Sequence, residues 1–287
     1  MNTSKLNEKA LLVHLRISMW SGSRKNKKLT SEVCAEHDAE NDAGSWWTYY
    51  VPKADLKPLQ QTANQCRAIW VKYTLPWMDG GLRVLPSAKL MEYSKDIRKA
   101  IRKFDREVKR FQNRWPEIYE SMRERLGSLV NDKDLMERMP TQDSVVQKFS
   151  IQQDLLPIPK ATDFRINLSD TDQTQLRQQM QKSIGRMTAK TMEEVWHRLD
   201  SLVGRVHTAL TEPDKKFKNS LISNLRKFCK DLPNLNLTED ENLNTMRRQI
   251  IKSLARIDPE DLRENKSYRK ASAKKAKLLL DKLEQYK

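Results

Sequence analysis

The sequence predicts a mainly helical protein (α+β) in which a small N-terminal sheet of two or three strands packs with long, antiparallel, coiled-coil-like helices. Apolar residues recur at alternating three- and four-residue spacings over 88–114 and again over 171–210, which is the pattern of a helix seam that packs on a partner. Residues 11–19 alternate between apolar and other side chains, as in a half-buried strand. Seven glycines among 287 residues are few and favour long helices over a β-sandwich or a glycine-rich-loop enzyme.

A small mixed α/β region is predicted for residues 1–87. The first strand ends at Gly22, and the run SRKNKK at 23–28 is predicted to be a basic loop. A helix is expected from Thr30, with Thr30 or the following serine as its N-cap. A stripe of apolar residues predicts a further helix over 54–72.

A hairpin is predicted around Asp79-Gly80-Gly81, because these residues stand between two short apolar runs. Pro76 and Pro86 lie in its two arms. Since proline cannot donate to a ladder of backbone hydrogen bonds, both arms are expected to be short or to lie at a sheet edge.

A long helical hairpin arm is predicted for residues 88–139. Its first helix carries the seam, Pro116 breaks or kinks it, and a second helix runs to Leu126 and ends at Gly127. The prolines of 140–168 predict an extended connector or a domain boundary.

A helical region is predicted for residues 169–258, and a basic C-terminal helix or tail for 259–287. The seam over 176–210 would be roughly 50 Å long at about 1.5 Å per residue, so it needs an equally long apolar neighbour. The two seams are expected either to pair with each other or each to meet a copy of itself or another protein. The methionines of the second seam repack easily, so a homo-oligomer is predicted.

The net charge of +16 and a pI near 9.7 predict acidic partners: nucleic acid, anionic lipid or an acidic protein surface. The three cysteines show no paired spacing, as expected of reduced thiols. No run approaches the length of a membrane span and no signal sequence is apparent. A location in the cytoplasm is therefore expected.

Two basic segments are candidate phosphate-binding surfaces. Residues 95–114 hold nine cations against three acids, a net charge of +6, and residues 264–287 hold eight against three, a net charge of +5. Cations along one helix face would follow a nucleic-acid backbone and gain from counterion release. The alternatives are a solvated helix face for the first segment and, for the second, a frayed terminus or a helix that docks on a partner through an apolar stripe. The candidate residues are Arg98, Lys99, Arg102, Lys103, Arg106, Lys109, Arg110, Lys270, Lys274 and Lys275.

Aromatic residues are concentrated in the first 80 residues. Such residues usually form the core of a small mixed domain, but rings next to cations also stack on unpaired bases. The run SWWTYY (45–50) is the best candidate for that second role. Trp46, Trp47 and Tyr49 are the residues named for base stacking.

No catalytic motif is found, and neither a cofactor nor a metal is predicted. Cys34-x-x-His37 is half a zinc site at best. The string Asp105-x-Glu107-x-Lys109 imitates a metal-dependent nuclease signature, but its carboxylates would ride a helix and splay apart rather than converge on a metal.

With these segments in view, the chain resembles an uncharacterised family carried by bacteriophages, plasmids and integrative elements. The resemblance covers roughly residues 10–210. It rests on LVHLRISMWSG (12–22), YTLPWMDGGLRVLP (73–86), FDREVKRF (104–111) and IPKATDFRINL (158–168). The family has no assigned activity; its genes often lie near those of MoxR-type AAA+ ATPases, which implies an accessory role.

The function predicted from the sequence is that of a non-enzymatic phage or mobile-element protein that binds nucleic acid, DNA being favoured over RNA. The alternative is a helical adaptor or assembly partner of a AAA+ ATPase or another acidic protein. A metal-dependent nuclease comes third.

Overall fold

The computed structural model describes residues 6–78, 81–131, 133, 137, 139–159, 170–212 and 217–286. The chain is 71% helical with a small antiparallel sheet, which confirms the predicted mainly α (α+β) class. The helices are α1 (Leu6–Lys9), α2 (Lys27–Glu36), α3 (Lys53–Tyr73), α4 (Leu90–Asn113), α5 (Trp115–Leu126), α6 (Gln142–Val146), α7 (Asp170–Thr211), α8 (Asn219–Leu235), α9 (Glu241–Ile250), α10 (Asp261–Glu264) and α11 (Lys266–Leu283). The strands are β1 (Ala10–Ser18), β2 (Ser23–Lys25), β3 (Trp47–Tyr49), β4 (Leu75–Pro76), β5 (Leu82–Pro86) and β6 (Ser150–Pro157).

The main sheet has four strands in the order β4-β5-β1-β6, where two or three were predicted. β1 pairs antiparallel with β5 from Ala10↔Pro86 to His14↔Leu82, and β4 pairs antiparallel with β5. The two arms of the predicted hairpin thus pair, while Asp79 and Gly80 lie outside the described residues. The first half of β1 is more buried than a half-buried strand, since Leu12 and Val13 on opposite faces are both buried. The unpredicted strand β6 lies in the stretch interpreted as a connector, whose residues 160–169 are outside the described part.

A separate two-stranded sheet pairs β2 with β3 antiparallel. The predicted basic loop at 23–28 is therefore wrong: it forms β2 and the start of α2. The predicted N-cap is wrong too, because Asn26 caps α2 and its Oδ1 accepts from the Leu29 N–H at 3.1 Å. The Thr30 hydroxyl instead donates to the Asn26 carbonyl at 2.6 Å and accepts from the Trp46 N–H at 2.9 Å.

The chain divides into two compact units, and each gathers stretches that are far apart in sequence. Unit 1 comprises Met1–His14, Tyr73–Met91 and Leu155–Lys287. Unit 2 comprises Leu15–Lys72 and Glu92–Asp154. The five segments predicted from the sequence do not follow this division. Among the described residues, no helix is both long and apolar enough to cross a membrane.

In unit 2, α3 and α4 lie side by side and run antiparallel. Three polar pairs join the two helices and the residue that follows α4: Lys72–Asp96 at 3.5 Å, Lys103–Gln65 at 3.3 Å and Arg114–Asp55 at 3.2 Å. In these pairs the residue numbers rise along α4 as they fall along α3, so the two helices run in opposite directions. As predicted, α4 ends just before Pro116, which lies in the first turn of α5, and α5 ends at Gly127.

The seam of α4 packs inside unit 2. Phe104, Phe111 and Trp115 are buried there, and the ring of Trp20 lies 6.4 Å from those of Phe111 and Trp115. Gly22 allows the close approach, because it has φ +71° and a Cβ there would lie 2.7 Å from the Leu56 side chain. This explains the Trp-Ser-Gly end of the first strand in physical terms.

The seam of α7 packs inside unit 1, mainly on α11 and α8. Val195, Leu199 and Val203 are among its fully buried residues, and Ser272, Ala276 and Leu279 line the facing side of α11. The alternative that the C-terminal segment is a frayed terminus is therefore wrong, because α11 is a core helix. The seam of α7 was predicted to need the seam of α4 or another protein chain as its long apolar neighbour. This prediction is wrong, because α11 and α8 of the same unit pack on α7. Self-association remains a prediction, and it now needs another surface.

Candidate nucleic-acid interface

Helix α4 has one apolar face and one cationic face. At about 100° per residue, its Lys and Arg side chains fall within an arc of about 140°, opposite Ile97, Phe104 and Phe111. Those three residues are buried. The seven cations predicted as nucleic-acid-binding residues, Arg98, Lys99, Arg102, Lys103, Arg106, Lys109 and Arg110, are all exposed. Burial of the seam therefore turns the whole basic face outward.

Few of these cations are neutralised. Arg98 donates to the Ser94 carbonyl of its own helix at 2.9 Å, Lys103 donates to Gln65, and Arg110 pairs with Glu107 at 2.8 Å. No hydrogen bond or ion pair with a described residue holds the remaining four, which are Lys99, Arg102, Arg106 and Lys109. Unpaired charge on a rigid helix is available to an anion.

Three of the four acids of α4, Asp96, Asp105 and Glu107, lie at the flanks of this face, and Glu92 lies within its arc in the first turn of the helix. Asp96 pairs with Lys72 and Glu107 with Arg110. Asp105 lies near the buried thiol of Cys66 on α3, and its charge adds to the burial that raises the pKa of that thiol to about 11. The centre of the basic face is left to Arg102 and Arg106, which stand one turn apart, about 6 Å along the axis.

The second predicted basic segment is α11, in unit 1. Lys270, Lys274 and Lys275 are exposed and without a partner among the described residues. Lys270 and Lys274 share a row, whereas Lys275 is turned about 100° from Lys274. These three lysines therefore form a thinner surface than the face of α4. The nearby Lys277 is paired with Asp281 at 2.9 Å.

Six of the eleven arginines that the structure describes in unit 1 donate to backbone carbonyl oxygens. Arg269 donates to the carbonyls of Ala209, Leu210 and Glu212 at 2.8, 3.0 and 2.6 Å, and so caps the C-terminal end of α7. Others do the same elsewhere: Arg226 to Ala255 and Ile257, Arg247 to Cys229, Arg263 to Phe217, and Arg83 and Arg198 to Thr74. These cations stabilise the fold.

The aromatic run divides into exposed and buried residues. Trp46, Trp47 and Tyr49 are 46%, 48% and 48% exposed, whereas Thr48 and Tyr50 are buried. Alternation along β3 places Trp47 and Tyr49 on one face of the strand, while Trp46 precedes it in the opposite phase. Trp20, Trp77 and Tyr73 are buried, as expected of core residues.

Sequence reasoning missed Lys25 as part of the same face. It stands directly opposite Trp47 in the β2–β3 ladder, and Ser23 stands opposite Tyr49. Directly opposed residues of an antiparallel pair share a face. The pairing partner of β3 lies beyond a whole helix in sequence, so only the fold brings the lysine beside the indole.

The described residues include potential metal ligands and three thiols. No group of three His, Cys, Asp or Glu side chains among them is placed to hold a metal. All three cysteines are free and buried, and burial raises the pKa of the Cys66 and Cys229 thiols to about 11, so both are protonated thiols near neutral pH. Two pockets of about 470 and 490 Å³ lie in unit 1, and neither contains a predicted site residue.

Comparison of the chain with protein-family models, with curated proteins and with solved structures finds no match.

Proposed function

We propose that the chain binds nucleic acid through the basic face of α4, as a non-enzymatic accessory protein of a phage or mobile element in the bacterial cytoplasm. One observation supports this above the others: Lys99, Arg102, Arg106 and Lys109 are exposed and unpaired among the described residues, on a helix whose opposite face is locked into a core. Such a rod of charge contacts phosphates without reading bases.

The same face fits a second candidate, an acidic surface of a AAA+ ATPase or another protein, because unpaired cations do not distinguish phosphate from carboxylate. A nucleic-acid backbone is favoured by the row that Arg98, Arg102, Arg106 and Arg110 form along about 18 Å of helix. The planar guanidinium of arginine binds two oxygens of a phosphate or a carboxylate at once, and a regular row matches a regularly charged polymer better than an irregular protein surface.

The test is a mobility-shift titration of single- and double-stranded DNA and RNA at low salt. Arg102→Glu/Arg106→Glu should weaken binding at least about tenfold, and raising salt from about 50 to about 200 mM should weaken the wild type by a similar factor or more. The matched control is Lys57→Glu/Lys148→Glu, which removes equal charge from exposed residues of unit 2 outside α4.

The control variant should bind within about twofold of the wild type, since it keeps every cation of α4 and surface charges act only over about 8–10 Å. Equal losses in both variants would mean that net charge and not the face of α4 drives binding. If no complex forms at low salt, the proposal is wrong and the acidic-protein partner replaces it.

A further inference from the structure

We infer that Trp47 and Tyr49 form a stacking platform for unpaired bases, so that the ligand is a single-stranded nucleic acid. This inference rests on the proposed function and specifies its substrate class. Three of the large apolar side chains that are exposed in the described structure lie within the four residues Trp46–Tyr49. A short strand that displays two aromatic rings on one face and buries the residue between them, Thr48, has a built surface rather than a loose loop.

The backbone of this platform is held from several sides within unit 2. The Trp46 carbonyl accepts from the Asn26 N–H and its N–H donates to Thr30 Oγ1, both at 2.9 Å. The Tyr50 N–H donates to the Gly22 carbonyl at 2.9 Å, and the Arg125 guanidinium donates to the Tyr49 carbonyl at 3.3 Å. The backbone that carries the rings is therefore preorganised, which lowers the entropy lost when a ligand stacks on them.

The cations around the rings complete the chemistry of a nucleotide site. Lys25 stands beside Trp47 on the same face, and Lys27 is an exposed neighbour of it in sequence, whereas Arg24 is opposite Thr48 and belongs to the other face. None of the three has an ion-pair partner in the described part of the chain. Side chains two apart on a strand are about 6.6 Å apart, so each ring has room for a separate base while the lysine lies within reach of the phosphates between them.

Unpaired bases are the ligand that this arrangement fits best. A duplex keeps its base faces stacked and offers only base edges and phosphates, so the rings would gain nothing from it. In a single strand every base has a free face, and stacking on aromatic rings is tolerant of sequence. DNA and RNA share this chemistry, and the experiment separates them.

The experiment compares affinities for fluorescein-labelled oligo(dT), oligo(U) and a mixed-sequence duplex, each about 20 nucleotides or base pairs long, which exceeds common site sizes. Wild type should bind the single strands more tightly than the duplex. Trp47→Ala/Tyr49→Ala should lose at least about tenfold on the single strands and less than about twofold on the duplex. Trp47→Phe/Tyr49→Phe should retain most of the single-strand affinity, because it keeps both ring faces.

Val33→Ala is the matched control, since Val33 is an exposed, non-aromatic residue of unit 2, and its affinities should equal those of the wild type. Thermal unfolding of every variant checks the fold. No preference of the wild type for single strands, or equal losses of the alanine variant on single strands and duplex, would overturn the inference while leaving the proposed function standing. Absence of binding to all three probes would overturn both.

Discussion

Two groups of arginines in this chain have opposite environments. Those of α4 in unit 2 project from the helix, and Arg102 and Arg106 have no partner among the described residues. In unit 1, Arg226, Arg247 and Arg269 are directed at backbone carbonyl oxygens and stabilise helix ends or connections. A net charge of +16 is therefore not a measure of the charge offered to a ligand, because a guanidinium that caps a helix already donates its hydrogen bonds to the backbone.

Removal of α11 should have the largest effect on the stability of unit 1. A chain that ends after Asn265 lacks the buried face that includes Ala276, Leu279 and Leu283, together with the cap supplied by Arg269. Loss of several buried aliphatic side chains should cost more than about 5 kcal/mol. Unit 1 should then lose cooperative unfolding in a urea titration.

The control for this truncation is Lys270→Gln/Lys274→Gln, which neutralises two exposed lysines and keeps the helix. Its stability should stay within about 0.5 kcal/mol of the wild type. If the truncated chain unfolds with the same midpoint and slope as the wild type, α11 is not part of the core.

Two single substitutions, Arg269→Ala and Arg102→Ala, compare one arginine from each group. The first leaves three carbonyl oxygens at the end of α7 without their charged donor, and should cost about 3 kcal/mol. The second removes an exposed side chain and should change the free energy of unfolding by less than about 0.5 kcal/mol.

Under conditions where both variants are folded, Arg102→Ala should lower the nucleic-acid affinity more than Arg269→Ala does. Denaturant unfolding and mobility shifts on the same preparations measure both quantities. A large stability loss from Arg102→Ala would break the distinction between the two groups.

The smallest expected effect concerns Cys66 on α3, whose thiol lies near Asp105 of α4. This contact depends on the orientation of α4. Burial, with the nearby Asp105 as a lesser cause, raises the pKa of this thiol from 9.0 to about 11. Because the folded state holds the proton more tightly, this thiol contributes stability below pH 9 that is lost as the pH rises toward 11. Cys66→Ala should flatten that decline, measured as the unfolding midpoint between pH 8 and pH 11.

Asp105→Asn should lower the Cys66 pKa slightly, because burial is the main cause and remains. The alkylation rate of the folded protein against pH reports this shift. An unchanged profile would place Asp105 away from the thiol and rotate the basic face from the position described.

Prediction from the sequence was strongest where one helix carries its own pattern. The range 88–114 and the stop before Pro116 match α4 closely, and all seven cations named there are exposed. It was weaker where partners are distant in sequence. The proline-containing stretch gives no sign of β6, and the run at 23–28 predicts a loop because its partner, β3, lies beyond an intervening helix.

The amphipathic character of α4 and its basic outer face follow from the sequence alone, because a periodic seam and a set of cations on the opposite side need no knowledge of other segments. Which charges are free and which rings are exposed depends on the tertiary structure. Arg269 is committed because folding brings the end of α7 to it, and Trp47 gains Lys25 as a neighbour because β2 pairs with β3. Such contacts join residues far apart in sequence, and no local spacing encodes them.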